Sequence, residues 1–482
     1  MTSNIVELMN YIGGKWTESI SGRTLEKINP TTGEVIAKFP DSDNEDAIKA
    51  IECAAECRDT RRLLNIDIEQ MDSILSNICE EINSQKDELV ECLVKETGKS
   101  DKEALGEVNK AIRTFQAIHY QKYNPLGEVL PSKNQKGLVF TTRCPVGVVV
   151  VITPWNFPVY IGAQHLAPAI MGRNSVIFKC SPNAPITSTK LIQTVLNAGL
   201  PKDMISLVHG IGEKVSKLVS DRRVDMVSFT GNSRTAKEIA TKTGGKKFIF
   251  EGGGNNFQVV LSNSNIKLAA EKAVEGMIQL SGQKCVTTGC ILIKDKKIGE
   301  FLEEATKVMK KIKVGDVSKG ADIGPIIGKN RLEELEKLIG ESEQKGAKVI
   351  LGGHRIRPAG TNGLFFEPTI IITPKDLEIV KEELFAPILK IISIKDLSEA
   401  IEIINNQEYG LTASIFSDNN KLVLRFIKEV RVGMVNVNSH TGGSEAHIPF
   451  GGVRSSGNGF RLGNPEEAIR AFTEVKTIKW NM

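Results

Sequence analysis

Two stretches place reactive side-chain types where chemistry is possible. In QLSGQKCVTTG (279–289), Cys285 opens a turn-rich run that follows a helical pattern. In EGGGNN (251–256), Glu251 leads three glycines at the end of a β-rich run. A thiol with the ordinary pKa of about 8.5 is only a few per cent thiolate at neutral pH, so a nucleophilic cysteine needs a base nearby or surroundings that favour its anion. Three glycines after a strand mark a backbone that something approaches closely. If both loops meet at the mouth of one sheet, the carboxylate and the thiol form a base and nucleophile pair. Free cysteines are otherwise mostly buried and inert, the reading given to Cys180 and to Cys290, which falls inside a strand pattern.

The elements that must position these loops follow from the hydrophobic pattern. From residue 147 short β-rich runs alternate with helical stretches: GVVVVITP, NSVIFKC, MISLVHG, DMVSFTG and KFIFEGGG. Spacings of roughly 20 to 30 residues suit βαβ units around a parallel sheet buried on both faces, which binds ligands at the carboxyl ends of its strands. Residues 45–120 read as helices, with Ile48, Ile51 and Ala55 on one face and Gly98 as a helix stop. A second alternation (CILIKD, AKVILGG, FFEPTIII, LKIISI, LTASIFS, GMVNVNS) predicts another α/β domain. The segment 124–137 and the tail AFTEVKTIKWNM alternate apolar and polar residues and are expected to pair as an outlying sheet.

Composition narrows the function classes. With 482 residues and 40% apolar content the chain can bury a large core divided among two or three domains. Its 62 basic and 58 acidic residues leave no electrostatic footprint for nucleic acid, and 5% aromatic content offers no base-stacking platform. The eight cysteines include no CxxC pair, which predicts a reduced, cytoplasmic setting. No segment approaches the ~20 apolar residues of a membrane span, and the start carries no targeting pattern. The six histidines lack metal-ligand spacing, so no metal is expected. ETGKS (96–100) fails as a phosphate loop because Leu93 stands where the upstream glycine belongs, and HGIGEKV (209–215) is a partial GxGxxG with Val215 in the third position.

TPWNFP (153–158), FTGN (229–232), FEGGGNN (250–256), SGQKC (281–285), EELFAP (382–387) and PFGGVRSSGNG (449–459) together resemble the NAD(P)-dependent aldehyde dehydrogenase superfamily, in order and spacing across nearly the whole chain. The resemblance implies an α/β fold: a Rossmann-type cofactor domain (1–123 and 142–252), an α/β catalytic domain (253–445), and a small β oligomerisation extension (124–141 and 446–482). It implies oxidation of an aldehyde to a carboxylic acid through a cysteine thioester. Cys285 would be the nucleophile, Glu251 the activating base, and Asn156 the amide that steadies the oxyanion. Thr153, Pro154 and Trp155 would line the cleft, with Lys179, Ser181 and Pro182 at the adenosine ribose. Gly212, Phe229, Thr230, Gly231 and Asn232 would surround the pyrophosphate, with Gly252, Glu383 and Phe385 toward the nicotinamide.

Departures from the family pattern shape the finer expectations. Pro182 stands where many NAD-preferring members carry a carboxylate, which leans the cofactor to NADP over NAD, with Lys179 as a point charge for a 2′-phosphate. His165 replaces a common lysine, and Ala236, Ala386 and Phe460 replace two glycines and an arginine. GQKC and VNVNSHTGGSEAHIPFGG look most like α-ketoglutarate semialdehyde (2,5-dioxopentanoate) dehydrogenases, and KCSPN resembles some succinate semialdehyde enzymes. Both substrates carry a carboxylate, for which Arg113 and the Ser439–Ser444 loop are candidate partners. A homodimer or homotetramer is expected from the outlying strands. Acyl transfer to CoA, or a non-catalytic binding protein on the same scaffold, are the alternatives.

Overall fold

VVVVI, SVIFK, ISLV, MVSFT and KFIFE are apolar on both faces of a strand, and each becomes one: Val148–Ile152, Ser175–Lys179, Ile205–Val208, Met226–Thr230 and Lys247–Glu251. The computed structural model of the chain describes residues 5–124, 127–134, 136–261 and 264–481. The five strands are parallel, with Val148–Ile152 in the middle, flanked on one side by Ser175–Lys179 and then Ile205–Val208, and on the other by Met226–Thr230 and then Lys247–Glu251. An antiparallel hairpin, Asn10–Ile12 with Lys15–Thr17, extends the Ile205–Val208 edge. The strand order therefore reverses beside Val148–Ile152, and a crevice opens at that switch point beyond the carboxyl ends.

The helices over 45–120 are α1 (Asn44–Asp59), α2 (Ile68–Ser84), α3 (Lys86–Thr97) and α4 (Asp101–His119). Gly98 ends α3 in the left-handed conformation, and Ser100 with Glu103 forms a capping box that starts α4. The sheet's crossovers include α5 (Pro158–Met171) and α6 (Pro185–Asn197). Apolar side chains pack on both faces of the sheet, with α2 to α6 on one side and α1 on the other.

A second seven-stranded sheet holds six parallel strands and one antiparallel edge strand, Lys348–Leu351. Its central pair is Asn256–Val260 and Thr288–Lys294. Asn256–Val260 follows the glycine run too closely to stand out as a separate apolar run. FFEPTIII, expected as one strand, divides into Phe365–Phe366 and Thr369–Ile372, in different sheets, with Pro368 between them. The chain crosses from the first sheet to the second in the four residues Gly252–Asn255, so the glycine run is the bridge between them.

The tail does form an outlying antiparallel strand, Thr473–Asn481, but its partner is Gly137–Pro145 rather than the segment before it. That earlier segment supplies only Val129–Leu130, on the far side of Gly137–Pro145; its Pro125, Leu126 and Gln135 lie outside the described residues. Val6–Glu7, Val35–Pro40 and Thr24–Ile28 make a further small sheet that the hydrophobic pattern does not announce. Among the described residues no helix is long and apolar enough to cross a membrane.

Candidate active site

Cys285 stands on a turn held in an unfavourable backbone conformation. After the helix Ile266–Ile278, Leu280 and Ser281 adopt φ of 48° and 55° and Gly282 of 74°, three left-handed residues in succession. For a residue with a Cβ this costs about 1–2 kcal/mol each, and it persists only where neighbours over-determine it. Leu280 N–H donates to Glu103 at 2.7 Å, and Ser281 Oγ donates to Gly324 O at 2.9 Å. The Gln283 amide donates to Pro325 O at 3.0 Å and accepts from Ile327 N–H at 2.9 Å. Gly282 lies so close to the Ala386 carbonyl that no Cβ fits. Asn256 Nδ2 donates to the carbonyls of Cys285 at 2.7 Å and Thr287 at 2.9 Å, fixing the peptide that carries the sulfur.

The glycine bridge is as tightly enclosed. A Cβ would meet Ser455 O at Gly252, the Glu383 carboxylate at Gly253 and the Cys285 carbonyl at Gly254. Gly252 N–H donates to Ser456 O at 2.9 Å, and Ser456 Oγ donates to Gly253 O at 2.6 Å. At its head Glu251 is buried, and neither carboxylate oxygen has a hydrogen-bond partner among the described residues. Burial raises its carboxyl well above the ordinary range, against the opposing pull of the Arg461 guanidinium and the Gly452 N–H.

Asn156 follows the central strand, just ahead of Pro158 at the first turn of α5. Its Nδ2 donates to Gln283 O at 3.0 Å, and its own carbonyl accepts from Lys99 Nζ at 2.7 Å. Lys99 and Glu107 form a fully buried ion pair, and Glu107 also accepts the Val159 N–H at 2.9 Å. Lys99, the lysine of the rejected ETGKS motif, thus fastens the segment that bears Asn156.

A cleft of about 600 Å³ follows the carboxyl ends of the first sheet. Thr153, Pro154, Trp155 and Asn156 line it after the central strand, and Lys179, Ser181 and Pro182 after the next. Phe229, Thr230, Gly231 and Asn232 form the wall at the switch point, where Asn232 caps the helix Ser233–Lys242 by accepting from Arg234 N–H at 2.8 Å. A helix N-terminus of this kind suits a pyrophosphate. Gly252, Glu383, Phe385 and Cys285 complete the other end, with Trp155 and Phe385 edge to face at 6.2 Å. The residues present thus fit a dinucleotide. Gly212 does not join them: Gly210 turns the chain tightly against Ser42, and Ile211, Gly212 and Glu213 face solvent.

Buried groups in the cleft are electrostatically strained. Lys179 donates to the Cys180 carbonyl and burial lowers its pKa. Burial raises Glu383 to about 7, and its carboxylate accepts the Gly254 N–H at 2.9 Å. Arg331 donates to the carbonyls of Glu383 and Leu384, both at 2.6 Å, holding EELFAP in place. His165 bridges Ser228 Oγ at 2.7 Å and Thr230 Oγ1 at 2.8 Å, and burial drops its pKa to about 3, so it is neutral at physiological pH.

A second, smaller cavity of about 140 Å³ is also lined by Cys285. Cys285 and Thr230 line both spaces, Glu251 lines the small one and Asn156 the large one. Burial, then the charges of Glu383 and, more weakly, Glu251, push the Cys285 thiol up to about 12, against the pull of Lys284 and the residue's own backbone N–H. Ser444 of the Ser439–Ser444 loop reaches the small cavity, whereas Arg113 is exposed on α4 and lines neither space. Of the basic residues that do line it, Lys110 and Lys284 were not singled out in the sequence, whereas His440 falls within the Ser439–Ser444 loop. The supporting groups Lys99, Glu107, Asn256, Gln283 and Arg331 were missed as well; charged residues one helical turn apart on a face that is otherwise apolar, as in LGEVNKAI, are the signal that exposes such members.

A family model described as "Aldehyde dehydrogenase family" matches residues 16–478. The chain is 33% identical to α-ketoglutaric semialdehyde dehydrogenase of Bacillus subtilis over 477 residues, 98% of this chain and 97% of that one. It is 34% identical to lactaldehyde dehydrogenase of Methanocaldococcus jannaschii over 474 residues, 97% and 99% of the two chains. Among solved structures, betaine aldehyde dehydrogenase from Staphylococcus aureus in complex with NAD+ superposes with a TM-score of 0.95 at 28% identity, covering 99% of this chain and 95% of that one.

Proposed function

Given that the chain belongs to the aldehyde dehydrogenase family, we propose that it oxidises a carboxylate-bearing semialdehyde to the corresponding dicarboxylate, with Cys285 as nucleophile, Glu251 as base and Asn156 as oxyanion donor. The observation that carries this reading is that Cys285 lines both the dinucleotide-sized cleft and the small cavity. A sulfur there meets an aldehyde from one side and a redox ring from the other.

With its thiol raised to about 12, Cys285 rests protonated and must lose its proton as it attacks. Glu251 shares the small cavity, and its raised carboxyl narrows the gap in basicity across which that proton moves. Sulfur then bonds to the aldehyde carbon, and the oxygen takes the negative charge. Asn156 Nδ2 and the backbone N–H of Cys285 stabilise that oxyanion; losing one such donor costs roughly 3–4 kcal/mol. The chemistry a nicotinamide dinucleotide supplies when bound is hydride acceptance, which turns the adduct on Cys285 into a thioester. Once it has passed the thiol proton to solvent, Glu251 takes a proton from the water that attacks the thioester carbon; the C–S bond then breaks, the carboxylic acid leaves, and Glu251 returns that proton to the departing sulfur. Retention of this carboxylate favours water over CoA as acyl acceptor.

Pro182, and the absence of any carboxylate among cleft residues 179–182, support NADP ahead of NAD. The name of the Bacillus subtilis relative supports α-ketoglutarate semialdehyde as substrate, and the basic lining of the small cavity suits that or succinate semialdehyde. The exposed strand Thr473–Asn481, with Val475 and Trp480 uncovered, supports a homodimer or homotetramer built on that sheet. We further take residues 1–123 with 142–252 as the cofactor domain, 253–445 as the catalytic domain and the remainder as the bridging extension, in a cytoplasmic enzyme.

Glu251→Gln tests the assignment. The variant should accumulate an acyl-enzyme, visible in intact-protein mass spectra as an adduct confined to the peptide bearing Cys285, while steady-state turnover collapses. Rapid turnover without an accumulating adduct would remove Glu251 from its role.

A further inference from the structure

Helix α4 turns one stripe toward the site. Glu103, Glu107 and Lys110 recur at i, i+4 and i+7 and so share a face. Glu103 accepts from the turn that presents Cys285, and Glu107 accepts from the first turn of α5 and pairs with Lys99. The third member, Lys110, reaches the small cavity. Its ammonium is 3.4 Å from Ser444 Oγ and 5.6 Å from the centre of the Tyr160 ring. Lys284 lines the same space, hydrogen-bonded to Gln279 and 5.5 Å from the Phe157 ring.

Among the described residues no ion pair neutralises either ammonium. The acids that act on them are engaged elsewhere or turned outward: Glu107 with Lys99, Glu103 with Ser100 and Leu280, and Glu445 on the surface. Two cations over aromatic faces that line one cavity, with no ion-pair partner among the described residues, are set to receive an anion. Tyr160 spans the distance, with its ring beneath Lys110 and its hydroxyl close to Ser444 and within the field of Cys285.

We infer that Lys110, together with the Ser444 hydroxyl, seats the distal carboxylate of the substrate, while Lys284 remains at the reacting end beside Cys285. The assignment rests on the semialdehyde reading above and names the residue that selects for it. A long uncharged aldehyde would leave Lys110 desolvated without a counter-charge, so the same device discriminates against it.

The test compares Lys110→Met and Lys110→Arg with the wild type on succinate semialdehyde and on butanal, an uncharged aldehyde of the same chain length. Lys110→Met should raise KM for the semialdehyde roughly 10- to 100-fold, the range for a lost hydrogen bond to a charged group. The kcat for the semialdehyde should stay within about threefold, KM for butanal should hold or fall as the unpaired ammonium is removed, and Lys110→Arg should restore most of the loss on the semialdehyde. A parallel fall with both aldehydes, or an unchanged KM, overturns the assignment. A second measurement needs no turnover: succinate should protect Cys285 of the wild type, but not of Lys110→Met, from alkylation. Aldehyde oxidation without such protection refutes the carboxylate seat alone; protection without oxidation supports the seat and refutes the catalytic reading.

Discussion

Replacing Gly254 by alanine sets one methyl group against the peptide that carries Cys285, the proposed nucleophile. The new Cβ falls about 1 Å inside ordinary contact with the Cys285 carbonyl oxygen. That oxygen is held by Asn256 Nδ2 at 2.7 Å, and the side chain of Asn256 crowds the same Cβ, so neither partner can move without disturbing the other. The carbonyl must shift by about the overlap and take the sulfur with it; a 1 Å misplacement of a reacting atom can cost about 100-fold in rate, about 2.7 kcal/mol at the barrier. Gly212→Ala is the control, because a Cβ there has nothing within 4 Å and the backbone is not left-handed. Initial rates of reduced nicotinamide formation, read beside thermal melting and dinucleotide binding, separate misplacement from unfolding. The expected result for Gly254→Ala is kcat lowered about 100-fold with dinucleotide affinity preserved, and for Gly212→Ala no change. A Gly254→Ala enzyme with wild-type kcat and melting temperature would refute the claim that this contact positions the sulfur.

Two further outcomes follow from the electrostatics. With the thiol raised to about 12, iodoacetamide should alkylate Cys285 of the cofactor-free enzyme about tenfold faster per pH unit from pH 7 upward, more shallowly above pH 8 as Lys284, lowered to about 8, loses the charge that favours the thiolate; a plateau below pH 8 would contradict it. Lys99→Met should destabilise the fold by about 3–5 kcal/mol in denaturant titrations because it strands Glu107 as a buried charge. Lys99→Met/Glu107→Gln should regain most of that stability yet keep a low kcat, since the Asn156 carbonyl still lacks Lys99; full recovery of kcat would show that Lys99 does not position Asn156.

The parallel strands other than Asn256–Val260 were legible because burial on two faces writes itself as unbroken apolar runs, and VVVVI or IISI admits little else. The meeting of Cys285 and Glu251 at one cavity was legible because glycine runs and a cysteine in a turn are rare signatures of close approach. The supporting network was not. Lys99 looks like a phosphate-loop remnant or a surface charge until its ion pair with Glu107 is seen, and Lys110 becomes special only when Ser444, 334 residues along the chain, arrives opposite it. Arg113 drew attention by its guanidinium, yet three residues on from Lys110 it sits on the solvent face of the same helix. Gly212 shows the converse: a motif fragment points toward phosphate, while the turn at Gly210 sends the loop outward. Long-range pairing of charges leaves no periodic trace in a chain, so it stays hidden until the fold brings the partners together.

The strong upward displacement of the Cys285 thiol has a bearing on durability. Peroxides and foreign disulfides attack sulfur as its anion, so an idle enzyme that stores its sulfur as S–H presents oxidants with a poor target. On the proposed mechanism the anion arises when an aldehyde fills the pocket and the proton leaves, and at that moment the carbonyl carbon already lies in the path of attack.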